Sequence, residues 1–142
     1  MWANTNYAFY KCNSFTWRED TKNAFASAGY SNLGKRVSWL SNYLTVISEI
    51  KTGHPVIMDA TTGFVQFNDW HIWVIDGYQQ YITHHKADPV NPFSSCLSAD
   101  YAYYHMNWGW EGKNDGWFGM SNFMLDGKLY NYDMNVTLGM RP

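Results

Sequence analysis

The sequence predicts an α+β fold in which two N-terminal helices precede an antiparallel, twisted β-sheet. Apolar side chains recur at helical spacing as far as Ile50, whereas short β-branched and aromatic runs separated by turn residues follow from Pro55 onward. The chain has 142 residues, of which 46% are hydrophobic and 15% charged, a composition typical of one globular domain. Helices and strands that are segregated along one domain define the α+β class, and we expect residues 1–142 to form a single domain.

The first helix is predicted over residues 16–28. Its apolar positions at helical spacing are Trp17, Ala24, Phe25 and Ala28. Thr16 and Glu19 have the spacing of a capping box, and Gly29 is a typical residue for the end of a helix.

A short strand over residues 35–40 is predicted to lead into the second helix. The apolar residues of that helix, Tyr43, Val46, Ile47 and Ile50, recur at intervals of three and four. Gly53 and Pro55 close it.

The remaining strands are predicted from β-branched and aromatic runs bounded by Gly, Asn, Asp or Pro. They are Val56–Ala60, Trp70–Tyr78, Tyr101–Asn107, Gly116–Met120 and Asp133–Met140. Residues 79–100 contain Asp88-Pro89 and Asn91-Pro92, and we expect them to form a long loop, a kind of connection that is often functional.

Charge and hydropathy exclude several classes of partner. The formal net charge is −2 and the ten basic residues are scattered, so we expect no nucleic-acid binding. No apolar run approaches the length of a membrane span, and we expect no membrane partner. The histidines, including His54, His84, His85 and His105, lack the spacing of a metal-ligand set. We therefore predict neither a metal nor a cofactor.

Cys12 and Cys96 are the two cysteines of the chain. They provide no disulfide framework, although one bridge between them is allowed. The first residues lack the basic and apolar regions of a signal peptide. We expect the chain to be secreted as part of a longer precursor.

A histidine and an asparagine are predicted to meet at one end of the sheet. If strand 70–78 pairs antiparallel with strand 101–107, His71 lies 7 residues (78 − 71) and Asn107 lies 6 residues (107 − 101) from the connection between them. An amide oxygen can fix the imidazole tautomer, so that the other ring nitrogen can take a proton from a thiol. Trp108 is expected to shield this hydrogen bond from water. The three residues have the chemistry of a cysteine-dependent acyl transferase.

The same segments resemble the C-terminal half of the streptopain family of papain-like cysteine peptidases. The resemblance lies in His71–Tyr78 (HIWVIDGY), Tyr104–Trp110 (YHMNWGW) and Asn114–Phe118 (NDGWF), and it extends to residues 25–32, 53–57 and 136–142. It therefore covers most of the chain.

The resemblance implies a papain-like fold and a bacterial, secreted cysteine endopeptidase that acts through a thioester. It implies that His71 is the catalytic base, that Asn107 orients it and that Trp108 lines the site. It also places the nucleophilic cysteine on a helix upstream of this chain. We therefore expect residues 1–142 to lack the N-terminal, cysteine-bearing half and to be inactive alone.

Three features depart from the family pattern. Asp69-Trp70 precedes the histidine where the family has glycine, the 79–100 connection is longer, and Glu111 replaces a glycine after Trp110. Substrate specificity is therefore not transferred from the family.

Other readings of the sequence remain open. Cys12 precedes a predicted helix, where thiol pKa values are lowered, but it lies four residues before the predicted cap. The tryptophans around His71 also suit a non-catalytic module that binds a peptide, glycan or protein. The expected partners are a peptide or protein substrate, the complementary N-terminal half or a second copy of the chain.

Overall fold

The structure is a computed structural model that describes residues 7–10, 13–16, 18–63 and 69–142, with side chains described in 20–63 and 69–142. Its two helices are α1 (Arg18–Ser27) and α2 (Trp39–Lys51). The strands are β1 (Tyr7–Tyr10), β2 (Asn13–Thr16), β3 (Asn32–Ser38), β4 (Val56–Thr61), β5 (Trp70–Lys86), β6 (Cys96–Asn107), β7 (Gly116–Gly119), β8 (Met124–Leu125), β9 (Lys128–Leu129) and β10 (Tyr132–Arg141).

Six strands form one antiparallel sheet in the order β3-β10-β4-β5-β6-β7. The pairs β1-β2 and β8-β9 form two small hairpins. Two helices with an antiparallel sheet confirm the predicted α+β class.

Helix α2 begins after Ser38, which has an extended backbone, and ends at Thr52, whose hydroxyl donates to the carbonyls of the last turn. Gly53 follows in the left-handed conformation with φ of 81°, where a Cβ would be strained. Glu49 of this helix pairs with Arg141 at the end of β10 at 2.9 Å. The helix is thereby fixed to the sheet.

Helix α1 also ends as predicted, because Gly29 has φ of 92° and the Tyr30 N–H donates to the Phe25 carbonyl. The rings of Phe25 and Tyr30 are in edge contact, 5.1 Å apart. The predicted capping box of Thr16 and Glu19 and the apolar residue Trp17 lie outside the residues whose side chains are described.

The core lies on one face of the sheet, which we call the core face. It combines alternate residues of four strands with α2 and the segment that follows β7. Its fully buried large side chains are Trp39, Trp73, Trp108, Tyr104, Phe123, Met58, Ile75, Met106, Val46, Val56 and Val136. Val56, Met58 and Ala60 alternate along β4 and project to the core face, as every second residue of a strand does.

The predicted loop over residues 79–100 is wrong, because β5 and β6 continue through it as one hairpin. Backbone pairing runs from Tyr78 opposite Tyr104 to Lys86 opposite Cys96. Residues 80–102, which we call the distal arm, extend beyond the other four strands of the sheet, and most of them are exposed. Val90 and Phe93 near its tip are 88% and 93% exposed.

Within the described ranges, neither helix has the length and apolar character needed to cross a membrane.

Candidate active site

His71 lies near the start of β5, directly opposite Ala60 of β4. Directly opposed residues of antiparallel strands project from the same face of a sheet. His71 therefore shares the core face with Trp73, two residues later on the same strand.

Four aromatic rings surround the imidazole. Their centroids lie 5.0–6.0 Å from that of His71, and they belong to Trp73, Trp108, Trp110 and Tyr130. Trp108 stacks nearly parallel to the imidazole at an interplanar angle of 16°. Trp110, 37% exposed, lies on the outer side. We call this group the aromatic cage, and it leaves His71 half-buried.

The imidazole is held by a backbone carbonyl. His71 Nε2 lies 3.0 Å from the Trp108 carbonyl oxygen, and because a carbonyl only accepts hydrogen bonds, Nε2 must carry the hydrogen. In the neutral ring the unprotonated nitrogen is then Nδ1, which forms no hydrogen bond with the described residues. The geometry leaves one defined base nitrogen.

Burial sets the charge of this histidine. Loss of water around the ring lowers the pKa of His71 below its ordinary value of 6.5, against a smaller opposing effect of the Trp108 carbonyl. The neutral form, which can accept a proton, is favoured at neutral pH.

Asn107 does not bond to His71 directly, so this part of the predicted geometry is wrong. Asn107 pairs with Val74, which places its side chain on the sheet face opposite His71. Its Oδ1 accepts a hydrogen bond from the Gly109 N–H at 3.0 Å. Trp108 is one residue farther along and projects to the core face beside His71. The catalytic assignment of the three residues stays a prediction.

Asp115 is a site residue that sequence reasoning missed, because Asp115-Gly116 also fits an ordinary hairpin turn. Its Oδ1 accepts a hydrogen bond from the Trp108 N–H at 2.9 Å. Trp108 itself is 1% exposed, and its indole Nε1 is buried with no hydrogen-bond partner among the described residues. Glu111 in the same turn has φ of 56°, which explains why a glycine suits this position.

Cys96, the cysteine within the described residues, does not lie beside His71. Cys96 is an exposed free thiol opposite Lys86, 15 residues along β5 from His71 (86 − 71), which is roughly 50 Å of strand. Cys12 lies outside the described residues.

The other histidines have different surroundings. His105 Nδ1 donates to Asp76 Oδ1 at 2.6 Å, on the sheet face opposite His71. His84 Nδ1 lies 2.9 Å from the Ser98 hydroxyl on the distal arm. No group of three or more His, Cys, Asp or Glu side chains in the described part of the chain is placed to hold a metal.

Two cavities lie on the opposite face of the sheet, beside α1. One has a volume of about 200 Å³ and includes Arg36 and Asp59, which form a two-pronged ion pair with a shortest distance of 2.9 Å. The other includes His54 and Val74. None of the predicted site residues lines either cavity.

In a comparison with known protein families, residues 3–118 match a model described as the peptidase C10 family. The matched region contains His71, Asn107, Trp108 and Asp115. A comparison with individual curated proteins found no match.

Proposed function

Because this chain belongs to the peptidase C10 family, the streptopain family of cysteine peptidases, we propose that it supplies the histidine side of a cysteine endopeptidase active site. The observation that carries the proposal is the hydrogen bond from His71 Nε2 to the Trp108 carbonyl inside the aromatic cage. It gives a family peptidase the neutral imidazole, of defined tautomer, that it needs as a base.

In the proposed reaction, Nδ1 of His71 takes the proton of a cysteine thiol and leaves a thiolate. The thiolate attacks the carbonyl carbon of a peptide bond, and the imidazolium returns its proton to the leaving amine as the bond breaks. Water then hydrolyses the thioester with His71 again acting as base. Nδ1 of His71 therefore takes part in each proton transfer of the proposed reaction.

The aromatic cage contributes to this chemistry in two ways. Its rings keep water from the Nε2 hydrogen bond, which strengthens that bond in the lower local dielectric. Trp108 and Trp73 also restrict rotation of the imidazole by stacking at 5.9 and 6.0 Å. The base stays oriented before the thiol arrives.

In this proposal the thiol comes from an N-terminal, cysteine-bearing half of the family fold, because residues 1–142 resemble the C-terminal half. Cys96 is too far along the distal arm to reach the imidazole. We propose that the two halves together form the cleft that binds an extended peptide, and that the present chain alone does not cleave peptides.

The test is covalent labelling of the protein that contains both halves by an epoxysuccinyl inhibitor, which reacts with activated thiols. His71→Gln should lower the labelling rate by about a hundredfold or more, the usual contribution of a general base. His105→Gln is the matched control, because His105 projects from the opposite face of the same strand pair, and it should label like the wild type. Labelling that is insensitive to His71→Gln, or that maps to Cys96, would contradict the proposal.

A second candidate function is peptide binding without cleavage, at the base of the distal arm. A groove there is lined by Gln79, Tyr81, Tyr101, Tyr103 and Trp117. Tyr81 and Tyr101 are 54% and 50% exposed, and exposed aromatic rows suit extended peptides. Saturable peptide binding that survives His71→Gln and thiol alkylation, but is lost in Tyr81→Ala, would favour this function.

A further inference from the structure

The resemblance already implies that Asn107 orients His71. We propose that Asp115 is a second positioning residue, and that the two act indirectly, by holding the backbone of Trp108 from both sides. Neither side chain bonds to the imidazole. Both act on the backbone around the carbonyl that does bond to it.

The first contact acts through a single peptide group. The Trp108 carbonyl, which accepts the His71 Nε2–H at 3.0 Å, belongs to the same peptide unit as the Gly109 N–H. That N–H donates to Asn107 Oδ1 at 3.0 Å. The peptide unit is therefore hydrogen-bonded at both ends, and hydrogen bonds in such a chain polarise and strengthen one another.

The second contact fixes the preceding peptide unit. The Trp108 N–H donates to Asp115 Oδ1 at 2.9 Å, and charged acceptors form the stronger class of hydrogen bonds. Gly109 has φ of 79° and turns the chain immediately afterwards. The two peptide units that flank the Trp108 Cα are thus each anchored by a side-chain oxygen.

These anchors determine the direction of the Trp108 carbonyl. If the peptide unit rotates, the carbonyl no longer faces Nε2, and the neutral imidazole can place its hydrogen on either nitrogen. With both anchors in place, the base lone pair stays on Nδ1. The positioning is a property of the chain itself, whereas its value for catalysis rests on the proposed function.

The test uses the 142-residue chain with ¹⁵N-labelled histidine, and it measures the His71 tautomer from two-bond ¹H–¹⁵N couplings above pH 6.5. In the wild type the neutral ring should be the Nε2–H tautomer. An Nδ1–H tautomer in the wild type would overturn the proposal without the need for any variant.

Paired variants then separate the effect of losing the hydrogen-bonding oxygen from general effects on folding. Asn107→Leu and Asp115→Leu remove the acceptor, whereas Asn107→Asp and Asp115→Asn keep one. Loss of one hydrogen bond worth about 1 kcal/mol should speed amide exchange about fivefold, at Gly109 in Asn107→Leu and at Trp108 in Asp115→Leu. Both leucine variants should also mix the His71 tautomers, and the acceptor-retaining variants should not.

A folded Asn107→Leu variant with unchanged Gly109 exchange and an unchanged tautomer would overturn the role of Asn107. If Asp115→Leu does not fold, Asp115→Asn decides the question: its neutral, weaker acceptor should speed amide exchange at Trp108 while the Nε2–H tautomer persists, and unchanged exchange would overturn the role of Asp115. Failure of the two-half protein to react with the inhibitor, together with the expected tautomers, would reject the proposed function and leave the positioning intact.

Discussion

His71 and His105 project from the same pair of strands, yet they lie on opposite faces of the sheet and have different partners. His71 lies in the aromatic cage and donates to a neutral backbone carbonyl. The side chain of His105 is 32% exposed and donates to the carboxylate of Asp76, which is 36% exposed. Enclosure by core rings, rather than the presence of a hydrogen-bonded partner, distinguishes the candidate base from a histidine that joins neighbouring strands.

A β-bulge at Asp76 helps to create the second environment. Ile75 pairs with Met106, and the next pair is Gly77 with His105, so Asp76 is an extra residue in β5. Such a residue has no direct partner across the ladder. The Asp76 carboxylate can therefore accept the hydrogen bond from His105. His71, in contrast, donates to the Trp108 carbonyl.

The largest effect should come from removing the ring that contacts each histidine. Trp108→Ala deletes a side chain that is 1% exposed and should cost about 3–5 kcal/mol of unfolding free energy. Trp117, whose ring lies 5.3 Å from that of His105, is 47% exposed, so Trp117→Ala should cost about 1–2 kcal/mol. Urea unfolding of both variants measures the difference, and equal losses would show that the two regions are equally enclosed.

A smaller effect is expected from a methyl group added at the bulge. In Gly77→Ala the new Cβ would meet the Cβ of His105 at 2.8 Å and the Trp117 ring at 3.2 Å, and such overpacking costs about 1–3 kcal/mol. Gly119→Ala is the matched control, because no atom lies within 4 Å of its added Cβ. If both variants unfold at the same urea concentration, His105 does not pack as tightly across Gly77 as the structure indicates.

The pH dependence of stability should distinguish His71 through its lowered pKa. The unfolded chain has the ordinary value of 6.5, and burial places the folded value below it. Above pH 6.5 the ring is neutral in both states. Below pH 6.5 the unfolded state binds a proton more readily than the folded state does. The free energy of unfolding therefore decreases as the pH is lowered from 6.5 to the folded-state pKa of His71.

The measurement is urea unfolding of the wild type and His71→Gln between neutral pH and pH values below 6.5. The wild type should lose more stability than the variant over this interval. Parallel curves would mean that His71 is as well hydrated in the folded protein as in the unfolded chain.

The sequence predicted the helices and the central strands because their burial is periodic. Val46, Ile47 and Ile50 mark one face of α2, and Val56, Met58 and Ala60 mark one face of β4. The distal arm was missed for the converse reason. Since neither face of residues 80–102 is covered, its sequence lacks the apolar alternation by which strands are recognised.

The candidate site was predicted in part. The resemblance identified the segments that carry His71 and Trp108, and the structure brings these two residues together. The sequence did not determine on which face of the sheet the Asn107 side chain projects, because a shift of the strand register by one residue moves every side chain to the other face. Asp115 was missed because a side chain that bonds to backbone leaves no periodic pattern.

The smallest effect should come from the hydrogen bond between His105 and Asp76. Asp76→Asn removes the charge but keeps an oxygen that can accept the Nδ1–H, and exposed pairs of this kind contribute about 0–1 kcal/mol. The loss should shrink further in high salt, because mobile ions screen charges that water reaches. Urea unfolding at low and high salt measures both quantities. A loss above about 2 kcal/mol that salt does not reduce would be typical of a desolvated pair; His105 would then be as enclosed as His71, and enclosure would no longer separate the two histidines.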